Sequence, residues 1–325
     1  MRIIFTGASS FTGCHFVREL AAAGHEILMT FTRELDEYDG VRRLRVEQVA
    51  RLGRSGVGVR FGDARFMKLL DDFGDVDLLC HHAAEVGEYK SAGFDVPRAL
   101  ARNTNNIRGV LEAVYERGCR RVVLTGSVFE QAEGAGSGGR PSFSPYGLSK
   151  ALTWEVFRYY GPDIGVHVGK FVIPNPFGPY EEPRFTTFLA RTWLAGEVAV
   201  VKTPEYVRDN IHASLLARSY AQFAGGLPDS AGTSRINPSG YVESQGGFAT
   251  RFADAMRDRL GVPCQLQLQR QIEFVEPRIR LNVDPVDADA LRWSESKAWD
   301  ELASFYLQTV AETKQSSKPA GVMPS

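Results

Sequence analysis

The sequence predicts an α/β fold, a doubly wound parallel sheet followed by a smaller, discontinuous lobe. Short apolar runs alternate with amphipathic helical stretches over the first half, a glycine-containing turn follows the first of those runs, and the alternation breaks down after about residue 174. The first run, 3–5, reads as a buried strand. Residues 11–23 read as a helix, with Phe16, Val17, Leu20 and Ala21 recurring at helical spacing. Between them lies "TGASSFTG", residues 6–13. Such a turn aims backbone N–H groups and the positive end of a helix dipole at the space above the sheet, which suits a pyrophosphate. Gly7 permits the tight turn and Gly13 the close packing of helix on strand. Ser10 occupies the middle position, where the backbone usually comes closest to phosphate, and its hydroxyl is placed to donate there.

Further strands are predicted at 26–31, 57–61, 76–80, 121–125 and 167–172, and helices at 64–73, 97–117 and 146–160. The alternation argues for right-handed crossover units in a mostly parallel sheet. The charge-rich stretch 33–55 mixes acids and bases and reads as a solvated surface helix. Residues 133–145, "EGAGSGGRPSFSP", read as an irregular loop. Pro174, Pro176, Pro179 and Pro183 mark the start of the second lobe.

With 325 residues, 43% hydrophobic and 24% charged, the chain can bury a sizeable core. Lys and Arg number 38 against 39 Asp and Glu, a net charge of −1, so bulk attraction to nucleic acid or an anionic membrane is absent. Cys14, Cys80, Cys119 and Cys264 stand far apart, which fits reduced thiols in a cytoplasmic protein better than a disulfide or metal framework. No leader of basic and apolar residues precedes the first strand, and no apolar run is long enough to span a membrane.

"YGLSK" places Tyr146 and Lys150 four apart at the start of a helical stretch, hence on one face. A tyrosine hydroxyl, with an ordinary pKa of about 10, is a poor base at neutral pH, and an adjacent ammonium favours its phenolate. In "RRVVLTGSVFE" a β-branched strand ends at Thr125, Gly126 and Ser127, where a hydroxyl can hydrogen-bond a substrate oxygen.

Taken in order, these motifs resemble those of the extended short-chain dehydrogenase/reductase family, which contains nucleotide-sugar epimerases, dehydratases and ketoreductases. The resemblance covers roughly residues 1–295. It implies a Rossmann-type NAD(P)-binding domain over 1–173 and a mainly substrate-binding lobe over 174–313 with segments returning to the sheet, while the composition of 314–325, "KQSSKPAGVMPS", reads as a disordered tail. Gly7, Ser9, Ser10, Phe11, Thr12 and Gly13 would form the cofactor turn. "GDAR" places Asp63 and Ala64 at the adenine, "CHHAAEVG" places His82, Ala83 and Ala84 near the ribose and phosphates, and Asn103 falls where the family opens its next helix with asparagine. Ser127, Tyr146 and Lys150 would be catalytic, Tyr146 as acid/base and Lys150 also holding the nicotinamide ribose. Counting back from "VF" makes Thr125 the rival of Ser127. For substrate, "PNPFGP" implicates Asn175, "YVRDNIH" implicates Arg208 on a diphosphate, and "EPRIRL" offers Arg278 or Arg280 as a second contact.

Two departures matter. The second strand ends without an acidic residue for a ribose 2′-hydroxyl and offers Thr32 and Arg33, which suit a 2′-phosphate, so NADP stands beside NAD. "TGSVFE" also lacks the Asp-Glu pair that follows the catalytic threonine in the family's 4,6-dehydratases. The resemblance implies an epimerase acting on a nucleoside-diphosphate sugar by transient hydride transfer, at C4, in a homodimer without metal. The alternative is an NADPH-dependent reductase of a 4-keto sugar nucleotide. A non-catalytic dinucleotide-binding sensor is the reading from another class, and Tyr146 and Lys150 count against it.

Overall fold

The computed structural model describes residues 1–87, 91, 93–136 and 141–316. β1 (Arg2–Thr6) carries Ile3, Ile4 and Phe5 fully buried, so both its faces are covered, as an interior parallel strand requires. α1 (Phe11–Ala22), β2 (Glu26–Thr30), α2 (Gly40–Val49), β3 (Arg54–Gly56), α3 (Ala64–Phe73) and β4 (Leu78–His81) follow. α4 (Val96–Asn103), α5 (Ile107–Glu116), β5 (Arg121–Ser127), β6 (Ala135–Gly136), α6 (Pro145–Ile164), β7 (His167–Ile173) and β8 (Asn175–Phe177) come next. The remainder is α7 (Phe185–Leu194), β9 (Ala199–Val201), β10 (Val207–His212), α8 (Ala213–Gly225), β11 (Gly232–Ile236), β12 (Pro238–Ser239), β13 (Tyr241–Ser244), α9 (Gln245–Leu260), β14 (Leu266–Leu268), β15 (Ile279–Leu281), β16 (Asp284–Pro285) and α10 (Glu295–Ser316).

Seven parallel strands form the main sheet in the order β11-β7-β5-β4-β1-β2-β3. Phe16, Val46, Leu216 and Tyr220 from α1, α2 and α8 close one face, and Phe66, Leu70, Val110 and Phe157 from α3, α5 and α6 close the other. The Rossmann-type doubly wound sheet is therefore as expected. Strand order reverses between β1 and β4, which opens a crevice above their carboxyl ends. The smaller lobe joins β13, β10, β15 and β6 in one sheet, with β8 beside β10, and its core gathers Phe177, Trp193, Phe248, Phe252 and Trp299. β8 continues directly from β7, and β11 returns to the main sheet, so the lobes share their connections.

Several boundaries differ from the sequence reading. The strand expected at 57–61 is instead β3, a few residues earlier; Val59 and Phe61 are buried in a loop turned by Gly58 and Gly62, where Val59 N–H still reaches Phe31 O at 2.9 Å. The helix expected over 97–117 is two helices, because Asn106 takes a left-handed conformation between them. The helix expected over 146–160 runs on through Pro162 and stops at Gly165, φ 100°. The stretch 33–55 is less solvated than its charges imply: Arg45 is fully buried and pairs with Glu182 of the second lobe. In the loop 133–145, β6 pairs with β15, while 137–140 lie outside the described residues. α10 takes the first three residues of the tail placed at 314–325, the rest of which lies outside the described residues. All four cysteines are free and buried, and among the described residues no helix is long and apolar enough to cross a membrane and no cluster of metal-binding side chains occurs.

Candidate active site

The crevice is built from the β1–α1 turn upward. Gly7 has φ 82°, and a Cβ on it would come within 2.8 Å of Ala83 N; a Cβ on Gly13 would collide with Gly7 O. The two glycines thus let α1 and residues 82–83 close around one backbone cradle, which fits a dinucleotide phosphate. Phe11, Thr12 and Gly13 lie buried in the first turn of α1. Ser10 caps that helix: its hydroxyl accepts Gly13 N–H at 3.1 Å and donates to Gly7 O at 3.0 Å. In this structure the Ser10 proton that could reach a phosphate is engaged by Gly7 O.

His82 ties this turn to β5. With the Ser10 proton on Gly7 O, His82 Nε2–H donates to Ser10 Oγ at 2.8 Å and approaches Thr12 Oγ1 at 3.3 Å, and its Nδ1 accepts from Thr125 Oγ1 at 2.9 Å. Burial, then the nearby Lys150 and His81, push the His82 ring down to about 3, so it is neutral. His82 is thus a strut beneath the cofactor site, and Ala83 and Ala84, half-buried, are what the strand end offers to a ligand. An unfolded histidine titrates near 6.5, so the neutral ring contributes stability that is complete above about pH 6.5 and is lost as pH falls. Replacing His82→Gln is expected to reduce the pH slope of unfolding free energy by about 1.4 kcal/mol per pH unit between pH 6 and 4, read from denaturant titrations.

Asn103 holds the same loop from the other side. Its Oδ1 accepts Glu85 N–H at 2.8 Å and its Nδ2 donates to Thr153 Oγ1 of α6 at 3.3 Å. Asp63 caps α3, accepting Phe66 N–H at 2.7 Å and Arg60 N–H at 3.0 Å, so its carboxylate orders the turn above which Ala64 is exposed.

At the end of β2, Thr32 and Arg33 are exposed. Sequence reasoning missed their neighbour Arg42, in the first turn of α2, whose Nε and Nη2 donate to Ser9 Oγ at 3.2 and 2.9 Å. Arg33 and Arg42 stand close enough to repel each other, and among the described residues neither has a carboxylate within ion-pair distance. Two guanidinium groups without a paired carboxylate among the described residues therefore flank this turn, Arg42 lying over the Tyr38 ring at 5.3 Å and drawn at longer range toward Glu182.

Tyr146 is half-buried on the first turn of α6, which Ser144 caps, and Phe94 packs edge-on to its ring at 6.1 Å. Lys150, one turn on, is buried and donates from Nζ to Thr125 O. Burial pulls its pKa down to about 8, against the opposing pull of Glu130. Thr125 and Ser127 share a face of β5 by strand alternation. The Thr125 hydroxyl is turned into the core, held by His82, whereas Ser127 ends the strand and accepts Phe129 N–H at 3.2 Å. Ser127 is the hydroxyl nearer the open edge.

Beyond Ser127 a small recess is lined by Val128, Phe129, Pro174, Asn175, Arg208, Asp209 and Arg280. Three of the four residues expected at substrate meet there. Asn175 Nδ2 donates to Asn210 Oδ1. Arg280 lies against the stacked pair Phe129 and Phe143, its guanidinium 4.1 and 4.5 Å from their ring centroids. Arg208 Nη1 donates to the carbonyls of Val207, Pro277 and Arg278, and its Nη2 meets Glu276 at 3.1 Å. Arg278 points elsewhere, pairing with Glu205 at 3.2 Å. Glu276 also lies 3.9 Å from Arg280, so one carboxylate serves both guanidinium groups of the recess.

A family model described as the NAD dependent epimerase/dehydratase family matches residues 3–225. Among curated proteins, the chain is similar to UDP-glucose 4-epimerase 4 of Oryza sativa subsp. japonica, at 22% identity over 67% of this chain and 66% of the relative. It is similar also to a UDP-2-acetamido-2,6-beta-L-arabino-hexul-4-ose reductase of Pseudomonas aeruginosa, at 27% identity over 58% of this chain and 40% of the relative. The chain thus spans just under two thirds of the first relative and two fifths of the second. The solved structure of UDP-glucose 4-epimerase from Thermotoga maritima with UDP-glucose matches in fold, with a TM-score of 0.70 at 17% identity over 95% of this chain and 100% of that one.

Proposed function

The chain belongs to the NAD dependent epimerase/dehydratase family, and from that membership we propose that it epimerises a nucleoside-diphosphate sugar, at C4, by transient hydride transfer. The observation that carries this reading is the recess in which Asn175, Arg208 and Arg280 converge directly beyond Ser127. Guanidinium groups suit diphosphate oxygens, and their place next to the catalytic strand would set a sugar over Tyr146 and Ser127.

A bound nicotinamide dinucleotide supplies the hydride acceptor and donor. The turn 7–13, Ala83, Ala84 and Lys150 would hold it. Tyr146 would take the proton from the sugar hydroxyl oxygen and return it after the ketone turns. Ser127 would hydrogen-bond that oxygen, and the Lys150 ammonium would favour the phenolate. Arg208 and Arg280 would keep the diphosphate in place while the sugar presents its other face. An acidic pair for dehydration has no counterpart after either candidate hydroxyl, since Gly126 and Ser127 follow Thr125, and Val128 and Phe129 follow Ser127.

A second reading is favoured by Arg33 and Arg42: an NADPH-dependent reductase of a 4-keto sugar nucleotide, with the same residues and a cofactor that leaves oxidised. Leu148, Leu152 and Tyr159, exposed along α6, support a homodimer through that helix.

Mass spectrometry of nucleotide released from freshly purified protein, with turnover of UDP-glucose or UDP-galactose in the absence of added cofactor, tests the reading. Near-stoichiometric dinucleotide with interconversion of the sugars supports the epimerase. Empty protein that oxidises NADPH only with a 4-keto sugar nucleotide overturns it in favour of the reductase, and dinucleotide binding without any turnover favours the sensor. Glu276 gives a smaller prediction. It is the anion now shared by Arg208 and Arg280, so Glu276→Gln is expected to tighten UDP binding about threefold in calorimetry, by removing a competing carboxylate.

A further inference from the structure

Behind the catalytic strand lies a buried ionic cluster that the reaction outlined above does not use. Glu130 Oε1 accepts Ser127 N–H at 2.7 Å, and Glu130 Oε2 lies 2.5 Å from Lys170 Nζ on β7. Lys170 Nζ also donates to Glu133 Oε1 at 2.6 Å, and Asn237 Nδ2 donates to Glu133 Oε2 at 2.9 Å. Arg235 adds a longer contact to Glu133, at 3.5 Å. Glu130, Glu133 and Lys170 are all at least nine-tenths buried. The cluster reaches the catalytic helix as well, since Lys170 Nζ sits 5.3 Å over the Trp154 ring, one turn beyond Lys150.

Gly126 makes room for it. A Cβ there would come within 2.8 Å of Lys170 Cε and 3.1 Å of Glu130 Oε1, so a larger residue would push these side chains off their present positions beneath the strand end. An ion pair so deep costs desolvation that well-packed apolar residues would not, and is weak evidence for a role in stability alone. Its position is more informative. Glu130 Oε1 holds Ser127 N–H while Lys150 Nζ donates to Thr125 O two residues back on the same strand, so the carboxylate bonded to Lys170 is brought within electrostatic reach of the second buried ammonium.

We propose, on the reading that Tyr146 and Lys150 are the catalytic pair, that Glu130 is a positioning residue: clamped by Lys170, it fixes the Ser127 backbone and keeps Lys150 charged. The charged and titratable groups around this arrangement are Lys150 from α6, Lys170 from β7, Glu133 from the same loop, Arg235 from β11, and His81 and His82 beneath, both held neutral by burial. Burial and Lys170 work against the Lys150 charge, and Glu130 works for it. Loss of the Glu130 charge therefore lets Lys150 give up its proton at lower pH. Glu133, which shares Lys170 but is not among the groups acting on Lys150, serves as the comparison.

The test is a substrate-free titration of Lys150 by carbon-13 NMR of its ε-methylene, assigned with Lys150→Met, in wild type, Glu130→Gln, Glu130→Asp and Glu133→Gln. The expected result is a midpoint lowered by about one pH unit, a tenfold change, in Glu130→Gln, by less in Glu130→Asp, and negligibly in Glu133→Gln. The alkaline limb of kcat/KM should move with it. Should Glu130→Gln fail to fold, Glu130→Asp carries the test, because retracting the carboxylate must shift the midpoint in the same direction. An unchanged midpoint in the Glu130 variants, or an equal shift in Glu133→Gln, overturns the proposal. A wild type that turns over no sugar nucleotide while the Lys150 midpoint still follows Glu130 overturns the functional reading and leaves this coupling standing.

Discussion

Replacing Tyr146→Phe is expected to lower kcat for nucleotide-sugar turnover about 1,000-fold while leaving dinucleotide affinity within about twofold. The magnitude follows from what one positioned acid/base group contributes, roughly 100- to 10,000-fold, since the substitution removes a single oxygen and keeps the ring. Phe94 packs against that ring edge-on, and Ser144 caps the helix through Gly147 N–H at 3.2 Å, so neither contact depends on the hydroxyl. Single-turnover absorbance of the reduced nicotinamide at about 340 nm would locate the loss in the hydride step rather than in binding. A variant retaining more than about a tenth of wild-type kcat would remove Tyr146 from its assigned role. His81 and His82 could not take the role over, because both are held neutral and engaged at both ring nitrogens.

Why Tyr146 could be found in the sequence and Glu130 could not is a matter of distance along the chain. A strand, a glycine turn and a helix announce a phosphate cradle because all the parts are local, and Tyr146 and Lys150 lie one helical turn apart for the same reason. Ser10 shows the limit. Its residue type suits a phosphate donor equally well, but its actual partners are Gly7 O and a histidine 72 residues away, and only the fold brings His82 there. The same applies to the choice between Thr125 and Ser127, which spacing leaves open and which the inward turn of the Thr125 hydroxyl toward His82 argues. Arg278 and Arg280 differ by one period of a strand with an intervening residue, yet one stacks over the recess and the other pairs outward with Glu205. One signal was present and unread. "HVGKFVI" sets a lysine inside an apolar run on an interior strand, and a buried ammonium requires a counter-ion; Asp163 and Glu155 lie nearer upstream than the acids at 130 and 133 that supply it, so the sequence showed the need and not the partner. Arg42 was hidden differently, inside a stretch whose mixed charges made any single arginine look solvated.

That arginine leads to the second large expected effect. If Arg33 and Arg42 receive a 2′-phosphate, the double variant Arg33→Ala/Arg42→Ala should weaken binding of 2′,5′-ADP, measured by calorimetry, by about 100-fold, and leave 5′-AMP within about twofold. Each charge-assisted hydrogen bond to an anion contributes roughly 1.5–3 kcal/mol, and 1.4 kcal/mol is tenfold in affinity, so even discounted for exposure the pair reaches two orders of magnitude. Removal of Arg42 also frees Ser9 Oγ, which now accepts from it, and Ser9 is buried in the cofactor turn. Arg42→Ala alone should therefore cost more than Arg33→Ala alone, because it disturbs the turn as well as the charge. The reading fails if wild type binds 5′-AMP as tightly as 2′,5′-ADP, for then the two cations serve no phosphate. Salt provides an independent check: an exposed guanidinium pair is screened, so the preference for the 2′-phosphate should shrink several-fold between about 0.05 and 0.5 M salt, whereas a preference set by shape would not.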